Sequence, residues 1–511
     1  MIIRNTYSLC PVCLTRISAS IVNRENDYHL EKSCPEHGAF STVIWRGNAP
    51  SLEEWEKALP SNFKEVTHRW FPTDSEAAQL SIRNPQSEIQ NPPGGRRLPV
   101  QSTDAQPEAA PNCPDACGLC AGHMRQTCCA LVEVTSRCNL ACPVCFAQSV
   151  ASCEVSSPKD PTVKELSEIF RKLADAGRTF VQLSGGEPTI RDDLPEIVAA
   201  ARAAGCETVQ LNSNGVRLGD DKPYAMELAA AGLSFVFMQF DGTDDAIYEK
   251  LRGRPLLDKK LAAINVCSEL GLGAALVPTL VPGVNDGNIG EILDFAIANS
   301  PAVRGVHFQP AAYFGRYPAP PTDELRITLP ETLRAMEAQT GGRVKASDFI
   351  PSGCDHPRCG FHGDFVVFPG GVLRKLTGEA SPPCCEKDDG LAHIRNRNFV
   401  ARRWKRPPPA GRISDFGFRI SDCNVVGARF IAPTIENHLR GNFSNEVTGK
   451  YPDMDIVLDR IKSHGFTITA MAFQDAWTID LERLRRCSLH VYRDGCVIPF
   501  CARYLTAGTQ V

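Results

Sequence analysis

The sequence predicts an α/β protein organised around a partial (β/α)6 barrel, with a small metal-binding knuckle before it and a cysteine-rich auxiliary region after it. Three observations predict this. Strand patterns alternate with amphipathic helical patterns from residue 130 to residue 311. Cysteine is unusually abundant, 22 in 511 residues, and most of it falls in tight groups. With 43% hydrophobic and 22% charged residues the chain is globular, so the groups sit in a folded protein. Its length exceeds what one small core can serve.

Residues 1–50 form the first unit. CPVC and CPEH present Cys10, Cys13, Cys34 and His37, separated by an alternating ribbon around Tyr28 and Leu30. Two knuckles on a short ribbon read as a zinc-ribbon or rubredoxin-like domain, holding mononuclear zinc or iron tetrahedrally. Its role is either a structural staple or electron transfer. Residues 51–112 begin with a helical pattern (LEEWEKAL) and continue into a polar stretch rich in Pro, Gln and Ser, expected to be disordered. IRNPQSEI (82–89) and DFGFRISD (415–422) could be encoded, apart from one or two positions, by complementary strands of one DNA element. Both read as repeat-derived loop insertions.

Residues 113–129 carry Cys113, Cys117, Cys120 and Cys128, with Cys129 as an alternative fourth ligand. Four thiolates suit a closed auxiliary [4Fe–4S] cluster, and zinc is the alternative. The barrel follows over 130–345, with strands at 130–135, 179–184, 207–212, 234–240, 273–280 and 305–311. Helical patterns such as KELSEIFRKLADAG lie between them, so right-handed crossovers give a parallel sheet. Reactive groups in such folds lie at the C-terminal ends of the strands.

CNLACPVC follows the first strand and supplies Cys138, Cys142 and Cys145. Three thiolates can hold three irons of a [4Fe–4S] cube and leave the fourth open. SGGEPT follows the second strand, where Gly185 and Gly186 permit close backbone approach to a ligand and Glu187 offers an acceptor. Ser213 and Asn214 end the third strand, and Gln239 and Asp241 end the fourth, at the rim. Each is a candidate cofactor contact or an ordinary helix cap.

Residues 346–394 are cysteine-rich, with Cys354 and Cys359. A possible second auxiliary [4Fe–4S] cluster would draw on these with Cys384 and Cys501, with Cys385 and Cys496 nearby. Residues 395–450 read as a basic insertion containing RNRNFVARRWKR, either a solvated loop or a contact for anionic head groups. Residues 451–511 read as a C-terminal α/β cap. Cys153, Cys206, Cys267, Cys423 and Cys487 stand alone and are assigned to apolar packing.

The C-x3-C-x2-C loop with GGE one strand later resembles the signature of the radical S-adenosylmethionine (radical SAM) superfamily. Its open iron chelates the amino and carboxylate groups of SAM. One departure is Val144, where the superfamily usually has an aromatic residue; here the aromatic is Phe146. With LCPVC…CPEHG, CPDACGLC, QFDG, FQP and the terminal IPFC, the chain resembles the archaeal tetraether lipid synthase family and its bacterial relatives. That group has also been linked to methylation of a hydroxymethyl-dihydropterin. The resemblance implies three [4Fe–4S] clusters, SAM and a rubredoxin-like metal site.

A net charge of −4 gives no reason to expect a nucleic-acid partner. No apolar h-region opens the chain and no apolar run is long enough for a bilayer, so a cytoplasmic protein is expected, with contact at the inner membrane surface if the basic run meets lipid. Three functions follow. The first is a radical SAM enzyme that joins lipid tails by C–C bond formation. The second is a radical SAM methyltransferase on a pterin-like small molecule, with a folate-type methylene donor. The third is an iron–sulfur electron-transfer protein without chemistry of its own. The first two need an electron donor such as ferredoxin or flavodoxin.

Overall fold

The computed structural model describes residues 1–57, 119, 123–151, 159–317, 320–376, 397–398, 402–406 and 454–506. Cys113, Cys117, Cys120, Cys384 and Cys385 lie outside them, as do both repeat-like segments.

The N-terminal unit is a four-stranded antiparallel sheet in the order β1 (Ile2–Leu9), β2 (Arg16–Arg24), β3 (Asp27–Cys34), β4 (Gly38–Trp45). Glu25 and Asn26 both take positive φ, which is the two-residue turn that matches strand twist in a hairpin. Tyr28, Leu30, Lys32 and Cys34 of β3 point inward. Lys32 is the polar exception, and its Nζ donates to Ser8 Oγ at 3.0 Å and to the Ala476 carbonyl at 2.7 Å. Thr6 donates to Asp480 at 2.7 Å, so the ribbon is fixed to the C-terminal part of the chain.

The barrel strands are β5 (Cys129–Thr135), β6 (Phe180–Gly185), β7 (Thr208–Ser213), β8 (Phe235–Gln239), β9 (Gly273–Val277) and β10 (Val303–Pro310), all parallel in sequence order. Strand β6 is buried along its whole length, as a parallel strand covered on both faces must be. Its helix Val163–Asp175 opens with a capping box. Glu165 N–H donates to Thr162 Oγ1 at 3.2 Å, and Glu165 Oε2 accepts from Thr162 N–H at 2.7 Å. That helix lays Leu166, Phe170 and Leu173 on the sheet.

Residues 451–511 do more than cap the barrel. β12 (Gly465–Met471) pairs parallel with β10, and β13 (Leu489–Arg493) pairs parallel with β5. Along the main path of this sheet eight described strands are thus mutually parallel, two more than the sequence patterns suggested. Antiparallel β11 (Gly360–Phe368) and β14 (Cys496–Pro499) flank them. The β12–β13 connection therefore passes from one edge of the open barrel to the other.

The basic run is neither a solvated loop nor presented to lipid where it is described. Residues 397–398 and 402–406 lie across the N-terminal end of the barrel. Arg406 donates to the Ser268 carbonyl at 2.7 Å, Lys405 to the Glu207 carbonyl at 3.3 Å, and Arg403 to Asp364 at 2.8 Å. Arg397 reaches the Gly177 carbonyl. The cations thus meet backbone carbonyls and a carboxylate below the sheet. Among the described residues, no helix is long and apolar enough to cross a membrane.

Candidate functional site

The N-terminal ligands converge. Cys10, Cys13, Cys34 and His37 place their donor atoms within 4.8 Å of one another. Cys13 and Cys34 sulfurs are 4.0 Å apart, and His37 Nδ1 lies 3.7 Å from Cys10 and 3.5 Å from Cys34. A tetrahedral ion with metal–sulfur bonds of ~2.3 Å and metal–nitrogen of ~2.0 Å sets ligand spacings of roughly 3.5–3.8 Å. The residues fit a mononuclear metal.

The three-cysteine loop begins where β5 ends. Cys138 is buried, Cys142 and Cys145 are half-buried, and all three are free thiols. Cys138 Sγ accepts the Leu140 N–H at 3.4 Å, and Cys145 Sγ lies 3.2 Å from Ser149 Oγ. Burial pushes the Cys138 thiol up to about 11, so it ionises readily only against bound metal. The loop is held from two sides. Gly186 N–H donates to the Thr135 carbonyl at 2.8 Å and Glu187 N–H to the Arg137 carbonyl at 2.9 Å. From the other side, Cys145 and Arg316 exchange backbone hydrogen bonds at 2.9 and 2.8 Å, and Arg316 Nε donates to the Cys142 carbonyl at 3.1 Å.

Gly185 and Gly186 were expected to admit a ligand. What approaches them most closely is the chain itself. A Cβ on Gly185 would lie 2.0 Å from the Thr135 carbonyl oxygen, and one on Gly186 2.1 Å from that of Arg137. These glycines let the strand leading to Cys138 pack backbone against backbone.

Glu187 is fully engaged. It accepts from Thr189 N–H (3.1 Å), Thr189 Oγ1 (2.7 Å), Ser213 Oγ (2.8 Å) and Asn214 N–H (2.6 Å). It thereby ties the end of β6 to the end of β7. Asn214 Nδ2 donates to Asn139 inside the cysteine loop at 2.7 Å. Asp241, expected at the rim, is completely buried and grips Arg252 through Nε at 2.6 Å and Nη2 at 2.8 Å. Arg252 is the group that reaches the cavity. Gln239 accepts from Lys260 Nζ at 2.8 Å, and burial pushes the Lys260 ammonium down to about 7. Arg252, Lys260, Gly315 and Arg316 were not singled out from the sequence. The only signals were the short contexts RG and FGR, which are common.

Cys138, Cys142, Cys145, Gly185, Gly186, Glu187, Ser213, Asn214, Gln239 and Val144 border one cavity of about 400 Å³. Phe146 also reaches it but packs against Tyr504, with ring centroids 5.0 Å apart. Below the cysteine loop the cavity continues down the lumen past Gln182, Gln210, Asn212, His307 and Gln309, with Phe180 and Phe237 as aromatic walls. Gln210 Nε2 donates to Asn212 Oδ1 at 3.0 Å, and His307 Nδ1 lies 2.7 Å from Thr469 Oγ1.

Five further described cysteines fall into two groups. Cys354 lies beside Cys128, whose thiol is the main cause of its raised pKa, and both border the cavity. Cys359 and Cys501 lie behind the cavity wall. Arg483 Nη2 donates to Cys359 Sγ at 3.5 Å and to the Ala472 carbonyl at 2.8 Å, and Gln474 N–H donates to Cys501 Sγ at 3.2 Å. Cys487 belongs with them. Burial first, then the charges of Asp355, Cys501 and Cys359, raise its pKa. Cys487 stands alone in sequence because its partners come from residues 359 and 501. Cys129 is buried at the opposite end of the lumen, 3.7 Å from Gln182 Oε1.

Residues 132–296 match the Radical SAM superfamily, and residues 2–46 match the HMPTM N-terminal zinc ribbon domain. The 7,8-dihydro-6-hydroxymethylpterin dimethyltransferase of Methanocaldococcus jannaschii is 32% identical over 525 residues, covering 98% of this chain and 92% of that protein. The probable GTP 3′,8-cyclase of Methanosarcina mazei is 33% identical over 168 residues, or 32% of this chain and 49% of the cyclase. Among solved structures, Streptococcus suis SuiB superposes with a TM-score of 0.35 at 16% identity, over 62% of this chain and 68% of that one. The chain is a radical SAM enzyme, the cofactors of that class are a [4Fe–4S] cluster and SAM, and within the superfamily it belongs to the family of the 7,8-dihydro-6-hydroxymethylpterin dimethyltransferase.

Proposed function

We propose that this enzyme is a methyltransferase acting on a small dihydropterin of the hydroxymethyl class. The observation that carries the reading is the lumen. Gln182, Gln210, Asn212, His307 and Gln309 offer donors and acceptors at successive heights along the lumen, beside the aromatic walls. A flat heterocycle with nitrogen and oxygen along its edge uses such a wall, because the polar atoms that the side chains do not pair among themselves then find partners. Alkyl chains would leave those remaining donors and acceptors without a partner. Joining lipid tails was the first expectation from the resemblance. The relative that spans nearly the whole chain is named a pterin dimethyltransferase, which supports the methyltransferase alternative better.

Cys138, Cys142 and Cys145 hold the SAM-binding cluster in this reading, and Arg252, Ser213, Asn214 and Gln239 border the space for SAM. When bound, cluster and SAM supply a carbon radical able to take hydrogen from an unactivated C–H bond. The protein's own share is placement and exclusion of water. Glu187 and Asn214 hold the strand ends together, Arg316 clamps the cysteine loop, and the Asp241–Arg252 pair fixes one charge at the wall. Cys359, Cys487 and Cys501 form the core of an auxiliary cluster site behind the wall, and Cys128 with Cys354 serves a second one on the cavity face. A folate-type methylene donor supplies the carbon, and ferredoxin or flavodoxin supplies electrons.

Titration of 7,8-dihydro-6-hydroxymethylpterin into anaerobic enzyme with SAM tests the reading. Gln210→Leu should weaken binding by tenfold or more, because a site built to hydrogen-bond loses heavily without the group. Equal affinity in the variant would sink it.

A further inference from the structure

The geometry points to Trp404 as the floor of the substrate chamber, and so as the residue that sets how long a substrate the barrel admits. The indole is 2% exposed and packs with Cys129, Phe180, Phe235 and Ala275. Cys129, Phe180 and Phe235 are the first residues of β5, β6 and β8, so the indole closes the N-terminal mouth of the barrel. It meets Phe237 edge to face with centroids 5.4 Å apart. Both Trp404 and the cysteine loop border the same cavity, from opposite ends.

The floor is built in. A Cβ on Gly273 would lie 2.1 Å from the Trp404 carbonyl oxygen, so the first residue of β9 must be glycine for the segment to seat. Arg304 Nε donates to the Arg403 carbonyl at 3.3 Å, and Arg406 and Lys405 bind the Ser268 and Glu207 carbonyls on either side. The basic residues pin the segment and the tryptophan fills the hole.

The depth follows from β8. From Phe235 to Gln239 there are four residue steps, roughly 13 Å at ~3.3 Å each. SAM takes the upper part. A hydrocarbon chain crossing one leaflet needs about 15 Å. A bicyclic ring with a short substituent fits between SAM and Trp404, and a long chain does not. The length limit rests on the small-molecule reading above; the floor does not.

Two measurements on anaerobic holoenzyme separate them. The first is the rate at which N-ethylmaleimide labels Cys129, read by peptide mass spectrometry, with buried Cys206 and Cys267 as controls for folding. Trp404→Ala should raise the Cys129 rate tenfold or more and leave both controls unchanged. Trp404→Leu, with less loss of packing, should raise it too and serves if the alanine variant exposes the controls. The second is binding of dihydropterins bearing a 6-hydroxymethyl or a 6-hexyl group in the presence of SAM. Wild type should prefer the short substituent by about tenfold, and either variant should abolish that preference. Wild type binding neither pterin, with Cys129 still unmasked in the variants, removes the pterin reading and supports the floor. Unchanged Cys129 labelling in a folded variant overturns the floor, and an unchanged length preference overturns its role in selectivity.

Discussion

Gly186→Ala should disable the enzyme without touching any cofactor ligand. The added Cβ would lie 2.1 Å from the Arg137 carbonyl oxygen, 2.6 Å from its carbon and 3.0 Å from the Ser136 oxygen. Contacts below about 3.0 Å do not persist, so the chains must part by 3.0 − 2.1 = 0.9 Å. The obstacle is backbone on both sides, so no side chain can swing away. Cys138 is the next residue after Arg137, and it moves with it. The Glu187 N–H to Arg137 bond, 2.9 Å in the native chain, is strained in the same shift. A displacement near 1 Å costs on the order of 100-fold in a positioned reaction. Overpacking of this kind destabilises by about 1–3 kcal/mol. The assay is release of 5′-deoxyadenosine from SAM by dithionite-reduced enzyme, with iron content measured on the same sample. Gly287→Ala is the control, because a Cβ there meets nothing within 4 Å. Undiminished cleavage by Gly186→Ala, with full iron, would refute the reasoning.

Other perturbations follow from single contacts. Cys142→Ala should abolish 5′-deoxyadenosine release while the N-terminal metal stays bound, as metal analysis would show. Asp241→Asn should cost about 3–5 kcal/mol in denaturant unfolding, because it leaves the Arg252 charge without its partner; a loss under 1 kcal/mol would contradict the pairing. Lys260 has its folded pKa depressed to about 7 by burial against an ordinary value of 10.5, so the unfolded chain binds the extra proton between those values. Its destabilising effect is full below pH 7 and fades as pH rises towards 10.5. The gap in unfolding free energy between wild type and Lys260→Met should therefore change across that window, and a constant gap would exclude it. Cys34→Ser should lose the mononuclear metal and lower the melting temperature, since metal binding there is also folding energy.

The barrel was legible because each of its first six strands is contiguous and followed by its own helix. The two further parallel strands were not. β12 pairs with β10 across more than a hundred residues of sequence, and β13 reaches back to β5, so no local pattern announces either partner. The cysteine loop and GGE could be read because their spacing is itself the chemistry. Arg252 and Arg316 could not, since an arginine looks like any other in sequence until its carboxylate or carbonyl partner is placed. Cys487 shows the same limit, as a lone cysteine in sequence that folds beside Cys359 and Cys501. The basic run shows the converse. Its charges suggest solvent or lipid, yet they cap carbonyls under the barrel, and the informative residue in it is Trp404.

The most direct measurement of the central claim is turnover. Reduced enzyme with SAM, 7,8-dihydro-6-hydroxymethylpterin, a folate-type methylene donor and flavodoxin should give 5′-deoxyadenosine together with a pterin carrying methyl in place of hydrogen, seen by mass spectrometry. Cleavage of SAM with the pterin unchanged, and joined chains when lipid is supplied instead, would contradict it.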